Sequence, residues 1–161
     1  MYTLDVSIIL VNYNTEELLV NAIKSVYEYS KNFTFEVIVV DNHSTNSPRE
    51  RLNTEFGQQV IYIPMEENVG FGRANNAGIK IAHGKYLFLL NTDTYLLNNA
   101  ICILKEYMDA HSDVGSCGGN LFSSDLKPTY SYHRVPYGIW SYELSVLTFG
   151  LSRRLIPHPF Y

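Results

Sequence analysis

Val6-Ser-Ile-Ile-Leu-Val11 is a nearly unbroken apolar run that stops abruptly at Asn12-Tyr13-Asn14. So short a run cannot span a membrane, and its β-branched side chains favour a pleated, buried surface, so it reads as a strand. Asn14, with Glu17 three residues on, fits a helix N-cap and its reciprocal partner, and Leu18, Leu19, Ala22, Ile23 and Val26 then recur at helical spacing. The pattern repeats. Phe35 to Val40 is a second apolar run that ends in polar residues, and Pro48 suits the first position of a short second helix. Gln59 to Ile63, closed by Pro64, reads as a third strand. Arg73 to Ala82 reads as a helix with Ala74, Ala77 and Ile81 on one side and Gly84 as its C-cap.

A fourth run, Tyr86 to Leu90, is wholly apolar or aromatic and is expected to be a strand buried on both faces, ending at Asn91-Thr92-Asp93-Thr94. From Asn98 or Asn99 a further helix turns Ala100, Ile103, Leu104, Tyr107 and Met108 to one face, and Val114 to Cys117 reads as another short strand. Strand and helix therefore alternate. The expected fold class is α/β, a doubly wound, mostly parallel sheet with helices on both faces. After Gly118-Gly119 the texture changes to an aromatic-rich stretch of weak periodicity, which includes Tyr130, Tyr137, Trp140, Tyr142 and Phe149. The domain boundary is set there: 1–120 as the α/β domain and 121–161 as the start of an incomplete segment. An apolar close at Pro157-His-Pro-Phe-Tyr161 is expected to belong inside a larger fold.

Composition changes this picture little. A chain of 161 residues with 46% hydrophobic content suits one real core, and disorder is not expected. Twelve basic against sixteen acidic residues, net charge -4, with no Lys/Arg run, argue against nucleic acid as a partner. Two cysteines without metal-type spacing indicate no disulfide framework. With no basic n-region or signal-like apolar stretch, the chain reads as cytoplasmic, with the inner face of the membrane left open as its working place. Five histidines show no ligand spacing.

The candidate chemistry lies at strand ends. In open α/β sheets ligands collect beyond the carboxyl ends of the strands, which is where Asp41 and Asp93 fall. Gly70-Phe-Gly72 is not a dinucleotide fingerprint, because it follows the third strand and lacks the third glycine at the required step. Taken together, Val6 to Asn14, Val37-Ile-Val-Val-Asp-Asn-His-Ser44, Asn68-Val-Gly-Phe-Gly-Arg-Ala-Asn-Asn-Ala-Gly78 and Leu89-Leu-Asn-Thr-Asp93 resemble, in order and spacing, the nucleotide-binding half of family 2 inverting glycosyltransferases of the GT-A fold. The wording is most similar to the rhamnosyltransferase-like subgroup that extends bacterial surface polysaccharides.

That resemblance implies a function. The chain would take part in moving a sugar from a UDP- or dTDP-sugar to a saccharide or lipid-linked acceptor with inversion. Asp41 would accept a hydrogen bond from the pyrimidine N3–H, with Asn12 and Tyr13 lining the same pocket. Asn91-Thr92-Asp93 corresponds to the Asp-x-Asp motif, so Asp93 is the expected ligand of Mg2+ or Mn2+ and Asn91 a neutral donor or ribose contact. A divalent ion neutralises the charge that builds on the diphosphate leaving group, and hard oxygen ligands suit either metal. Asn68, Gly70, Gly72, Arg73 and Asn75 complete the expected substrate-binding set. Two positions depart from the family wording: Asn91 stands where many relatives carry aspartate, and Asn75 where many carry arginine.

Inverting transfer also needs a carboxylate base for the acceptor hydroxyl. After Asp93 the isolated Asp113, Asp125 and Glu143 match no such motif, so the base is expected beyond Tyr161 and this chain is expected to bind donor without turnover. Two other functions stay open: a non-catalytic nucleotide-binding or regulatory module, and a sugar-nucleotide pyrophosphorylase. The last expects a glycine-rich basic loop after the first strand, and Asn12 to Glu17 is neither. Peripheral membrane association through other segments and homodimerisation are left open.

Overall fold

The computed structural model of the chain describes residues 2–129. These fall into two compact units, Met1–Gly119 and a second that begins at Asn120. In the first, β1 (Leu4–Asn12), α1 (Glu16–Tyr29), β2 (Phe35–Asp41), α2 (Arg49–Phe56), β3 (Val60–Pro64), α3 (Phe71–Ile79), β4 (Gly84–Leu89) and α4 (Ala100–Ala110) follow one another, with a single 3-10 turn at Gly57–Gln59. In the second, β5 (Leu121–Phe122) pairs antiparallel with β6 (Pro128–Thr129).

The four strands of the first unit form a parallel sheet in the order β3-β2-β1-β4. Val6, Ile8 and Leu10 of β1 and Val37 and Val39 of β2 face one side, where Leu19, Val20, Ile23 and Val26 of α1 and Leu52 of α2 cover them. Ile9, Val11, Ile38 and Val40 face the other side, against Ala74 of α3. Connection handedness explains the division. Stepping β1 to β2 to β3 in one direction puts α1 and α2 on one face, and reversing from β3 back past β1 to β4 puts α3 on the other if every crossover is right-handed. The order reverses between β1 and β4, and a crevice opens where it does.

Several sequence expectations are corrected. Asn14 does not cap α1: it has a left-handed φ of 57°, its Oδ1 accepts from Thr45 N–H at 2.8 Å, and Thr15 holds the N-cap position. Gly84 is not a C-cap but the first residue of β4. There a Cβ would lie 2.3 Å from the Ser7 nitrogen, so the close approach of two backbones demands glycine. β4 is not buried on both faces. Tyr86 and Phe88 join the α1-side core, whereas Leu87 and Leu89 are 46% and 50% exposed because α3 lies over β1 and β2. On α4 the buried residues are Ile101 and Cys102, while Ile103 and Tyr107 point outward. Residues 114–117 form no strand, and α3 begins two residues earlier than the sequence pattern suggests and ends at Ile79. The aromatic stretch from Tyr130 lies outside the described residues. No helix among the described residues is long and apolar enough to cross a membrane.

Candidate functional site

The crevice at the strand reversal has a volume of about 490 Å³, within the range of small-ligand sites. Tyr13 reaches it from the end of β1, Thr15 and Leu18 from the first turn of α1, Asn42 from the end of β2, Asn68 and Phe71 from the approach to α3, and Asn91, Thr92 and Asp93 from the end of β4. A second cavity of about 320 Å³ lies between β4, α4 and residues 115–117. It is lined mainly by apolar side chains of the sheet edge and gathers no strand-end polar groups, so the crevice is the candidate site.

Asp41 is not on the crevice wall. Only 4% exposed, it receives Asn12 Nδ2 at 2.8 Å and Ser44 Oγ at 2.5 Å on Oδ1, and Tyr62 OH at 3.2 Å and Ser44 N–H at 3.4 Å on Oδ2. A buried carboxylate needs such donors, and these four occupy its acceptor positions. Burial raises the Tyr62 phenol above its ordinary value of 10.0, and the neighbouring Asp41 adds to this against the Ser47 hydrogen bond, so Tyr62 stays a donor at neutral pH. Asn12 is likewise fully buried, directly opposite Asp41 in the strand register. The expected base-reading pair therefore forms the floor beneath the crevice. Asn42, the next residue, borders the crevice, although at 3% exposed it too is buried.

Asn42 also ties down the loop before α3. Its amide donates to Asn68 Oδ1 at 2.9 Å and its Oδ1 accepts from Val69 N–H at 3.0 Å, while Asn68 Oδ1 also accepts from Gly70 N–H at 3.0 Å. Gly70, with φ of 82° at the N-cap position of α3, turns the chain as only glycine does readily. Gly72 and Arg73 are exposed in the first turn of α3 and are not on the crevice wall. Asn75 is 5% exposed and donates to Phe71 O at 3.1 Å, which assigns it to the helix interior.

Asn91 and Asp93 are exposed in the crevice, and among the described residues neither side chain has a hydrogen-bond or ion-pair partner. No group of three or more His, Cys, Asp or Glu able to hold a metal ion occurs among the described residues. Asp93 thus suits an ion whose remaining ligands are phosphate oxygens and water, and does not suit a closed protein cage. Sequence reasoning missed Thr15, Leu18, Asn42, Phe71 and Thr92 as wall residues. Asn42 and Thr92 sit inside motifs already singled out. The first turn of a helix following a parallel strand always opens near the carboxyl edge of the sheet, which would have found Thr15 and Leu18.

Known proteins resemble this chain in sequence or in fold. Abequosyltransferase RfbV of Salmonella typhimurium is 26% identical over 133 residues, covering 80% of this chain and 40% of that protein. The crystal structure of residues 1–349 of S. aureus TarS in complex with UDP-GlcNAc superposes with a TM-score of 0.58 at 24% identity, over 67% of this chain and 32% of that one. The mannosyltransferase PcManGT from Pyrobaculum calidifontis, in complex with GDP-Man and Mn2+, gives 0.58 at 21% identity over 67% and 33%. These structural neighbours share the GT-A fold, whereas the chain spans less than half the length of each protein compared. The model of glycosyl transferase family 2 matches residues 7–159, and the chain belongs to that family.

Proposed function

We propose that this chain binds the pyrimidine nucleoside diphosphate of a UDP- or dTDP-sugar, as the donor half of an inverting, hexosyl-type transferase that serves a saccharide or lipid-linked acceptor. The observation that carries the reading is Asp93: a carboxylate without a partner among the described residues, set in the switch-point crevice beside Tyr13 and Asn91. The crevice volume of about 490 Å³ accommodates a nucleotide. The UDP-GlcNAc held by TarS and the GDP-Man and Mn2+ held by PcManGT support a nucleotide-sugar ligand for the shared fold. Rhamnosyltransferase-like assembly of surface polysaccharide is the proposed setting.

In this reading the pyrimidine lies beside Tyr13 and Asn42, above Asp41. Asp41 reaches the ring N3–H by exchanging its longest contact, the 3.4 Å bond from Ser44 N–H, for the base. Asp93 would hold Mg2+ or Mn2+, which when bound neutralises charge on the departing diphosphate. Asn91 offers a neutral oxygen beside it. Asn68 and the Gly70 turn bring backbone close to the donor, Gly72 and Arg73 in the exposed first turn of α3 are outer members of the set, and Asn75 supports that turn from within the helix. Among the described residues Asp93 is the single carboxylate of the crevice wall, and a base must be a second one, so residues 2–129 bind donor without deprotonating an acceptor. The same observation favours a second reading, a non-catalytic nucleotide-binding module, which separates from the first only at turnover. The proposed place of action is the cytoplasm or the inner face of the membrane; both cysteines are free, which suits a reducing compartment.

Thermal unfolding with UDP, dTDP, GDP and ADP, each with and without Mn2+, tests the proposal. UDP or dTDP should raise the melting temperature, with a metal-dependent part that Asp93→Ala removes. No shift with either pyrimidine diphosphate in any metal would overturn it.

A further inference from the structure

Asp41 ends β2 and Asn91-Thr92-Asp93 follows β4, the two strands that flank β1, and side chains join Asp41 to Thr92 without a break. Asn12 Nδ2 donates to Asp41 Oδ1 at 2.8 Å, Thr15 Oγ1 donates to Asn12 Oδ1 at 2.9 Å, and the Thr15 and Thr92 hydroxyl oxygens lie 3.0 Å apart. The direction of the chain follows from chemistry. A carboxylate only accepts, so the Asn12 amide must turn its NH2 to Asp41 and its oxygen to Thr15. The single hydroxyl hydrogen of Thr15 is thereby committed to Asn12, and Thr15 can only accept from Thr92. Every donor points toward Asp41, and bonds aligned in this way polarise one another.

Both threonines are placed unusually for their local structure. Thr15 holds the N-cap position of α1, where a threonine hydroxyl ordinarily accepts from the first turn, yet it makes no cap bond. That hydroxyl is spent on Asn12 and Thr92 instead. Thr92 is the middle residue of Asn91-Thr92-Asp93. Among the described residues its hydroxyl is the one side-chain group of that motif with a hydrogen-bond partner.

We infer that Thr15 and Thr92 are positioning residues that lock the Asn91–Asp93 motif to Asp41 through Asn12. The relay sets the spacing between the group that meets the base and the group that meets the diphosphate. A nucleoside diphosphate is then read at both ends at once, a role that rests on the donor-binding reading above. Thr15 touches both halves of the relay, and Thr92 only the diphosphate end.

The test is amide hydrogen exchange at residues 91–94 of the full chain, together with titration of UDP plus Mn2+ and of uridine, in Thr15→Val, Thr92→Val, Thr92→Ser and the double valine variant. Each single valine should speed exchange of the Thr94 amide, which bonds Asn91 O at 3.2 Å, by about three- to tenfold, the worth of one net hydrogen bond. The double variant should go no further than the larger single, and Thr92→Ser should restore protection. Thr92→Val should weaken UDP by a similar factor and leave uridine unchanged, whereas general loosening would weaken both and overturn the inference. Unchanged exchange in both single variants also overturns it, whether or not a ligand binds. If exchange responds as expected while the wild-type chain binds no UDP, the relay stands and the donor-binding reading fails. Thr92 is on a partly exposed loop, so its variants keep the test open should Thr15→Val unfold α1.

Discussion

Asn12 donates from its amide to the Asp41 carboxylate at 2.8 Å across the paired carboxyl ends of β1 and β2, and both side chains are buried. Two further donors, Ser44 Oγ and Tyr62 OH, converge on the same carboxylate. Removing one partner from a buried polar cluster costs more than the bond it made, because the groups left behind stay desolvated. Asp41→Ala should therefore destabilise the fold by about 2–4 kcal/mol, several stranded donors at the usual cost of each. Urea unfolding at neutral pH measures it, and a loss under about 0.5 kcal/mol would show that the cluster holds nothing together.

Asp93 makes the opposite case. Exposed and without a partner among the described residues, it leaves nothing unsatisfied when removed. Asp93→Ala should keep the urea midpoint of the wild-type chain, and it should abolish the metal-dependent shift with UDP. A marked drop in the ligand-free midpoint would mean that the carboxylate is structural.

Two glycines make a graded pair. A Cβ at Gly84 would meet the Ser7 nitrogen at 2.3 Å and the Val6 carbonyl carbon at 2.5 Å, both backbone atoms of a central strand. A Cβ at Gly78 would meet a methyl carbon of Ile9 at 2.8 Å, a side-chain atom that can shift. Gly84→Ala should cost at least about 3 kcal/mol by forcing β4 from β1, and Gly78→Ala about 1 kcal/mol, the range of overpacking costs. Denaturant midpoints that rank the two the other way would contradict the strand pairing.

Glu36 supplies a pH-dependent latch at the other end of the sheet. Its Oε1 accepts from Ser7 Oγ at 2.5 Å and His83 N–H at 2.6 Å, and the Ser7 hydroxyl in turn accepts from Gly84 N–H at 2.8 Å. Burial pushes the Glu36 carboxyl upward, but the bonds from Ser7 and His83 together bring it below its ordinary value of 4.5. A depressed folded-state pKa means stability that is fully present above the unfolded value and is lost as pH falls through the folded one. Wild-type stability should therefore decline from about pH 4.5 downward more steeply than that of Glu36→Gln. Parallel melting curves from pH 6 to 3 for the two proteins would refute the latch.

What the sequence by itself determined is the alternation of strands and helices and, to within two residues, the strand ends near Asn12, Asp41 and Leu89, because runs of β-branched residues interrupted by turn formers leave the backbone few choices. The ordered motifs at those ends also named the family. Which groups border the crevice was decided only by tertiary structure. Asp41 and Asn42 are adjacent in the chain and both buried, yet the approach of Ser44 and Tyr62 holds one beneath the crevice while the other borders it. Leu87 and Leu89 are exposed although their run is apolar, because one helix covers only part of a sheet face. Thr15 and Thr92, 77 positions apart, meet because the strand order brings β4 beside β1. Periodicity reports which residues share a face. Contact between faces depends on how the elements cross, and that information resides in the packing of the whole sheet.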